Sequence, residues 1–273
     1  MTVKWSDLGL RLSGAVVVAV MVVGLVALVI PYDPADAVSY DTLLNPPSAA
    51  HWLGTDGQGR DVLMRLVKGT EAFFLPGLMG GLIAVVLGGL AGAYTGYAAG
   101  PLRSALVGLL QLVDTLPRLV FIILLCTIRN PSIPLIAVVA GLLFVPTVAT
   151  VVRRKVEALA SEDYILAHIA HGFTPARILL HHILWLQCWP LLVRQAAFVF
   201  GYVLFVETGL SYLGDYGVQE PDPSWGNMVA QVKDLAGAGA WPWLAPAVAI
   251  VVTIASFLAF GNLVARKGEE ALR

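Results

Sequence analysis

The chain has 273 residues, of which 58% are hydrophobic and 13% charged, with a formal net charge of -1 and a mean hydropathy of +0.80. That balance excludes an ordinary soluble domain, and no nucleic-acid partner is expected from so few basic residues. The two cysteines, Cys126 and Cys188, fall at or near apolar runs and suggest neither a disulfide framework nor a metal site.

A segment needs roughly 20 apolar residues to cross about 30 Å of hydrocarbon. Six stretches meet that length, at 12–30, 72–99, 104–128, 134–152, 183–206 and 241–265, so the expected fold class is an all-α polytopic membrane protein sitting in a lipid bilayer. The first stretch is too long for the apolar region of a secretory signal and lacks a small-x-small cleavage site before Tyr32, which predicts a retained anchor.

Between the first two spans the chain is rich in Pro, Asp, Ser and Asn and then reads HWLGTDGQGRDVLMRLVKG. Val62, Leu63, Leu66 and Val67 recur at helical spacing between charges, which predicts a helix over 61–68 lying in the membrane interface. Gly54, Gly57 and Gly59 permit a tight turn just before it. Seven glycines in the second span, Gly77 to Gly96, allow other helices to approach closely. In the third span Asp114 is costly in lipid, and Arg118 one turn later is its simplest partner; a structural ion pair is favoured over a proton relay.

After the fourth span comes a polar island, Glu157 to His182, holding four of the five histidines beside Arg153, Arg154 and Lys155. Lys and Arg in short flanks favour the cytoplasmic side, so the island and both termini are expected there. Arg60, Arg65 and Lys68 dissent from that orientation, with Asp56, Asp61 and Glu71 near enough to offset them. His168 and His171 stand at the i, i+3 spacing that can hold a metal, but in a solvated segment a protein-contact surface is the preferred reading. The stretch 209–240, with Pro221, Pro223, Gly226 and Trp225, reads as an ordered surface or re-entrant segment on the outer side.

No catalytic machinery is visible. None of the five lysines is followed by Ser or Thr, so the phosphate-cradling GxxxxGK[ST] loop is absent, as are HExxH and GxSxG. The readings left open are a subunit of a driven transporter, an ion-driven secondary transporter using an intramembrane carboxylate such as Asp114 or Glu207, and a membrane scaffold.

The island resembles the EAA loop of binding-protein-dependent ABC transporter permeases through Asp163, Tyr164, Ile165, Ala167, Gly172, Arg177, Ile178, His182, Ile183 and Leu184. The stretches at 51–69 and 207–228, and Asp114, Thr115 and Pro117, are similar to the C-type subunit of the dipeptide, oligopeptide and nickel importers. The chain departs from that pattern at His168, Trp185 and Asp215-Tyr216, which touches the detail of coupling.

The resemblance implies a type I ABC importer permease fold, with an anchor and interfacial segment at 1–71 and the permease domain at 72–273. It implies a cytoplasmic EAA coupling helix near 157–182 that docks on a separate ATP-binding subunit through Asp163, Tyr164, Ile165, Ala167, His168, Gly172, Arg177 and His182. It implies that an extracytoplasmic substrate-binding protein meets the outer face at Gly54, Asp56, Arg60, Asp61, Pro221, Pro223, Trp225 and Gly226. Further implied partners are a second, homologous permease subunit and two ATP-binding subunits, in the bacterial inner membrane. ATP and Mg would sit on those subunits, leaving this chain non-catalytic with no cofactor of its own. Di- or oligopeptides are the expected cargo, with nickel or a metal chelate as the alternative.

Overall fold

The computed structural model describes residues 2–33, 38–129, 132–160, 162, 171–214, 216–231 and 241–271. In chain order its elements are α1 (Thr2–Ala27), α2 (Val62–Lys68), α3 (Glu71–Tyr97), α4 (Pro101–Asp114), α5 (Arg118–Arg129) and α6 (Ile133–Leu159). A turn at Pro175–Arg177 then runs into a π-helix, Ile178–Trp185, followed by α7 (Trp189–Leu213), α8 (Trp225–Ala230) and α9 (Trp241–Ala271). No strand occurs among the described residues. Five of these helical segments are long and apolar enough to cross a membrane, and the pair α4 and α5 makes a sixth crossing if read as one broken span.

That pair corrects the expected continuous third span at 104–128. Its halves are bent by 72° around Thr115, Leu116 and Pro117. Proline has no N–H to donate and disfavours helical geometry in the residue before it, so the helix ends at Asp114 and restarts at Arg118. The fifth span also shifts, from the expected 183–206 to Trp189–Leu213. Pro190 occupies the first turn of α7, where a missing N–H costs nothing, and Gly214 at φ +87° closes the far end in the left-handed conformation.

In hydrocarbon the tails are as apolar as leucine, so close van der Waals fit rather than water exclusion holds helices together. The glycines of α3 supply that fit. A Cβ at Gly88 would stand 2.6 Å from Val148 Cβ, and one at Gly92 would stand 2.5 Å from the Ala149 carbonyl. Gly88, Gly92 and Gly96 therefore form a four-residue repeat on which α6 lies directly. Phe144, Val148, Val152, Val199 and Val203 are buried around this contact, extending it to α7. A second buried group, with Phe73, Phe200 and Phe257, joins α3, α7 and α9, and α1 leans on it through Val17 and Val20.

The bundle has two unlike ends. One, the cap end, gathers residues 28–33, 38–70, 214 and 216–231. The other, the loop end, gathers the start of α4, residues 157–160 and 171–188 and the two terminal helix ends, where Lys267 contacts the Asp7 carboxylate.

Candidate functional sites

The cap end is built around charge. Gly54 at φ +73° and Gly59 at φ +74° fold the chain back so that Thr55 pairs with Asp61. Inside the turn, Asp56 Oδ1 accepts from the backbone N–H groups of Gln58 at 2.9 Å and Arg60 at 3.0 Å, while its Oδ2 accepts from Arg60 Nε at 2.8 Å. The Asp61 side chain caps α2 by accepting from Met64 N at 2.8 Å, and its other oxygen is 2.7 Å from His51 Nδ1.

The interaction that closes the cap comes from far along the chain. Glu220 accepts from Arg60 Nη1 at 2.6 Å and from Arg65 Nη2 at 2.9 Å, and Gln231 approaches the same carboxylates. Asp56 and the two arginines are fully buried, whereas Glu220 is 40% exposed. Burial works against the Arg60 charge, but the hydrogen bond to Glu220 and the Asp56 and Glu220 charges outweigh it and hold its pKa above the usual arginine range. Two acids and two bases make the cluster neutral, so buried ions are paired rather than stranded.

Other polar contacts tie the same two segments. Trp225 Nε1 donates to the Leu66 carbonyl at 2.7 Å, and a Ser224 to Asn227 capping box starts α8. Lys68 spends its three N–H groups on the carbonyls of Ala27 and Ile30, at 2.9 and 3.1 Å, and on Glu71 at 2.6 Å. The end of α1 is thereby fixed to α2 and α3.

This arrangement changes what the expected outer contact residues do. Gly54, Asp56, Arg60, Pro223, Trp225 and Gly226 are buried within the chain, so they build the cap and present no face to a partner. Among those residues Pro221 is exposed and Asp61 partly so. The expected offset of the dissenting basic residues holds for Arg60 with Asp56, for Arg65 with Asp56 at 3.6 Å and for Lys68 with Glu71, while Asp61 turns to His51. Arg65 finds its closest carboxylate in Glu220, 155 residues away, which no local pattern announces.

Within the membrane-spanning part, Asp114 and Arg118 form the expected ion pair, with Arg118 Nη2 donating to Asp114 Oδ1 at 2.6 Å. Arg118 also donates from Nε to the Leu143 carbonyl at 3.1 Å and from Nη2 to Thr147 Oγ1 at 2.7 Å, and stacks 4.4 Å over Phe144. The pair therefore bridges the break between α4 and α5 and pins it to α6. Glu207 is buried in α7, where it accepts from Ser211 Oγ at 2.7 Å, and Ser211 Oγ accepts in turn from Val218 N.

At the loop end, Asp163, Tyr164, Ile165, Ala167 and His168 lie outside the described residues. Gly172 is described: it sits at φ +79° with open space where a side chain would go. Thr174 caps the turn that follows, accepting from Arg177 N, and Pro175 occupies its first position. The exposed Arg177 guanidinium lies 4.7 Å over the Phe173 ring, and the Phe173 and His182 rings are 5.7 Å apart. In the π-helix Ile178 and Ile183 are buried while His181 and Trp185 face outward. Among the described residues no three His, Cys, Asp or Glu side chains converge as a metal site.

The family profile described as "Binding-protein-dependent transport system inner membrane component" matches residues 70–269. The chain is 30% identical to the dipeptide transport system permease protein DppC of Alkalihalophilus pseudofirmus, over 80% of this chain and 71% of that one. It is 32% identical to the oligopeptide transport system permease protein OppC of Haemophilus influenzae, over 81% and 73%. Against the probable D,D-dipeptide transport system permease protein DdpC of Escherichia coli the identity is 28%, over 93% and 85%.

Proposed function

The chain belongs to the binding-protein-dependent transport system inner membrane component family, and on that premise we propose that it is one of two permeases in an ATP-driven importer of di- or oligopeptides. The observation that carries the reading is the family match across α3 to α9, which includes the polar sequence 157–182 between two spans. The relatives' names supply the peptide cargo.

In this reading the loop end faces the cytoplasm and the cap end faces out. Residues 163–168 dock on an ATP-binding subunit, Gly172 turns the chain, and the turn at Pro175–Arg177 with the π-helix carries the displacement into α7. A π-helix has wider, strained hydrogen-bonded rings than an α-helix, which suits a joint between a moving segment and a fixed span. The buried charges of the cap hold the outer end of α7 through Glu220, so motion entering at the loop end works against an anchored far end. A binding protein would meet the exposed rim of the cap, including Pro221 and Glu220.

The test is co-purification. Solubilised from its native membrane, the chain should bring with it a second permease, ATP-binding subunits and an extracytoplasmic binding protein, and the assembly should hydrolyse ATP faster when peptide-loaded binding protein is added. A chain that purifies alone and moves solute into liposomes under an ion gradient would overturn the proposal.

A further inference from the structure

The broken span α4 and α5 carries polar groups where lipid would not tolerate them. Arg118 touches Leu143, Phe144 and Thr147, around the midpoint of the 27-residue α6, so the break lies at mid-depth of the bundle. There the Asp114 side chain is 48% exposed and Arg118 27% exposed. A charged group at that depth must face water or protein, because hydrocarbon offers it no solvation.

The pair is also incompletely used. Asp114 Oδ1 serves Arg118 and Thr147, and Arg118 spends Nε and Nη2. Asp114 Oδ2 and Arg118 Nη1 have no hydrogen bond among the described residues, leaving an acceptor on one partner and a donor on the other unused.

A second, independent feature leads to this point. Ser104, Gly108, Gln111 and Thr115 recur at i, i+4, i+7 and i+11 and are all exposed, so α4 bears a wettable stripe from the loop end to the break. Leu102, Leu109 and Leu112 are exposed on other faces of the same helix. One helix thus offers a polar side and an apolar side, as a wall between water and lipid requires. Discontinuous helices at mid-depth are a recurrent way to place charged groups against a transported solute.

We propose that this stripe lines the aqueous translocation path and that the open atoms of Asp114 and Arg118 receive the ammonium and carboxylate ends of an unblocked peptide. The wall assignment stands on the geometry; the peptide part rests on the function proposed above. Asp114 is the acceptor for the ammonium end and Arg118 the donor to the carboxylate.

Cysteine scanning in the assembled transporter tests both parts. The native Cys126 and Cys188 are buried and give little background. Thr115→Cys and Gln111→Cys should react with a cationic, water-soluble thiosulfonate at least roughly tenfold faster than Val251→Cys, an exposed apolar position on α9, and modification should block uptake. Dialanine should slow that reaction and N-acetyl-dialanine amide should not. Thiols at 111 and 115 that react no faster than the one at 251 would overturn the wall assignment. Fast reaction with equal protection by both compounds, or by neither, would leave the wall standing and overturn the docking of charged ends. A complex that takes up no peptide at all would instead remove the premise about cargo. Asp114→Asn provides the complementary check, since it should weaken dialanine uptake by roughly tenfold while leaving thiol reactivity at Gln111→Cys unchanged.

Discussion

Two glycines with nearly the same backbone conformation separate the two ends of this molecule. Gly59 at the cap end and Gly172 at the loop end have φ of +74° and +79°. A Cβ at Gly59 would overlap the Ser39 carbonyl oxygen, whereas one at Gly172 would meet nothing within 4 Å. The space beside Gly59 is filled and the buried charges of the cap are neutralised from within the chain; the loop end leaves an exposed turn, an exposed arginine and an outward-facing Trp185. Among the described residues, the cap end is closed by contacts within the chain, whereas the loop end keeps side chains exposed.

The contrast can be broken by substitution, with thermal unfolding in detergent as the common readout. Gly59→Ala combines a left-handed backbone with overlap against main chain and should cost more than about 4 kcal/mol, seen as loss of folded protein. Arg60→Ala would remove the nearest cation from the buried Asp56, leaving Arg65 at 3.6 Å, and should cost about 3 kcal/mol. Glu220→Gln keeps a hydrogen-bonding group at a partly exposed position and should cost about 1.5 kcal/mol. Gly172→Ala, with space for its methyl, should cost about 1 kcal/mol. Arg103→Ala removes an exposed 2.9 Å bridge to Glu157 and a 2.7 Å hydrogen bond to the Thr95 carbonyl and should also cost about 1 kcal/mol. If Gly172→Ala proved as damaging as Gly59→Ala, the loop end would be as tightly built as the cap and the contrast would fail.

Much of this was legible in the chain. Spans announce themselves by length, the helix α2 by the spacing of Val62, Leu63, Leu66 and Val67, and the close contact of α3 with α6 by a glycine repeat. Pro117 is a visible breaker, but the depth of the break and its 72° bend depend on the hold Arg118 takes on α6. The cap was legible in parts only. Asp56 and Arg60 are four apart and pair as neighbours on a turn, whereas Glu220 lies 160 residues from Arg60 and meets it only because α7 returns the chain to the same end. Sequence proximity therefore found the local half of the cluster and missed the half that closes it. Trp225 and Gly226, which the resemblance implied as contacts for a partner, are buried within the chain.

In the function proposed above, the segment 157–182 is the point where the motor engages. Its most direct test is coupled ATPase activity and peptide uptake of the reconstituted complex carrying Gly172→Pro, or Tyr164→Ala together with Ile165→Ala. The account predicts that these chains still insert and assemble while peptide-stimulated hydrolysis and uptake fall together by roughly tenfold, the effect of losing about 1.4 kcal/mol of coupling. Wild-type stimulation and uptake in both variants would contradict it.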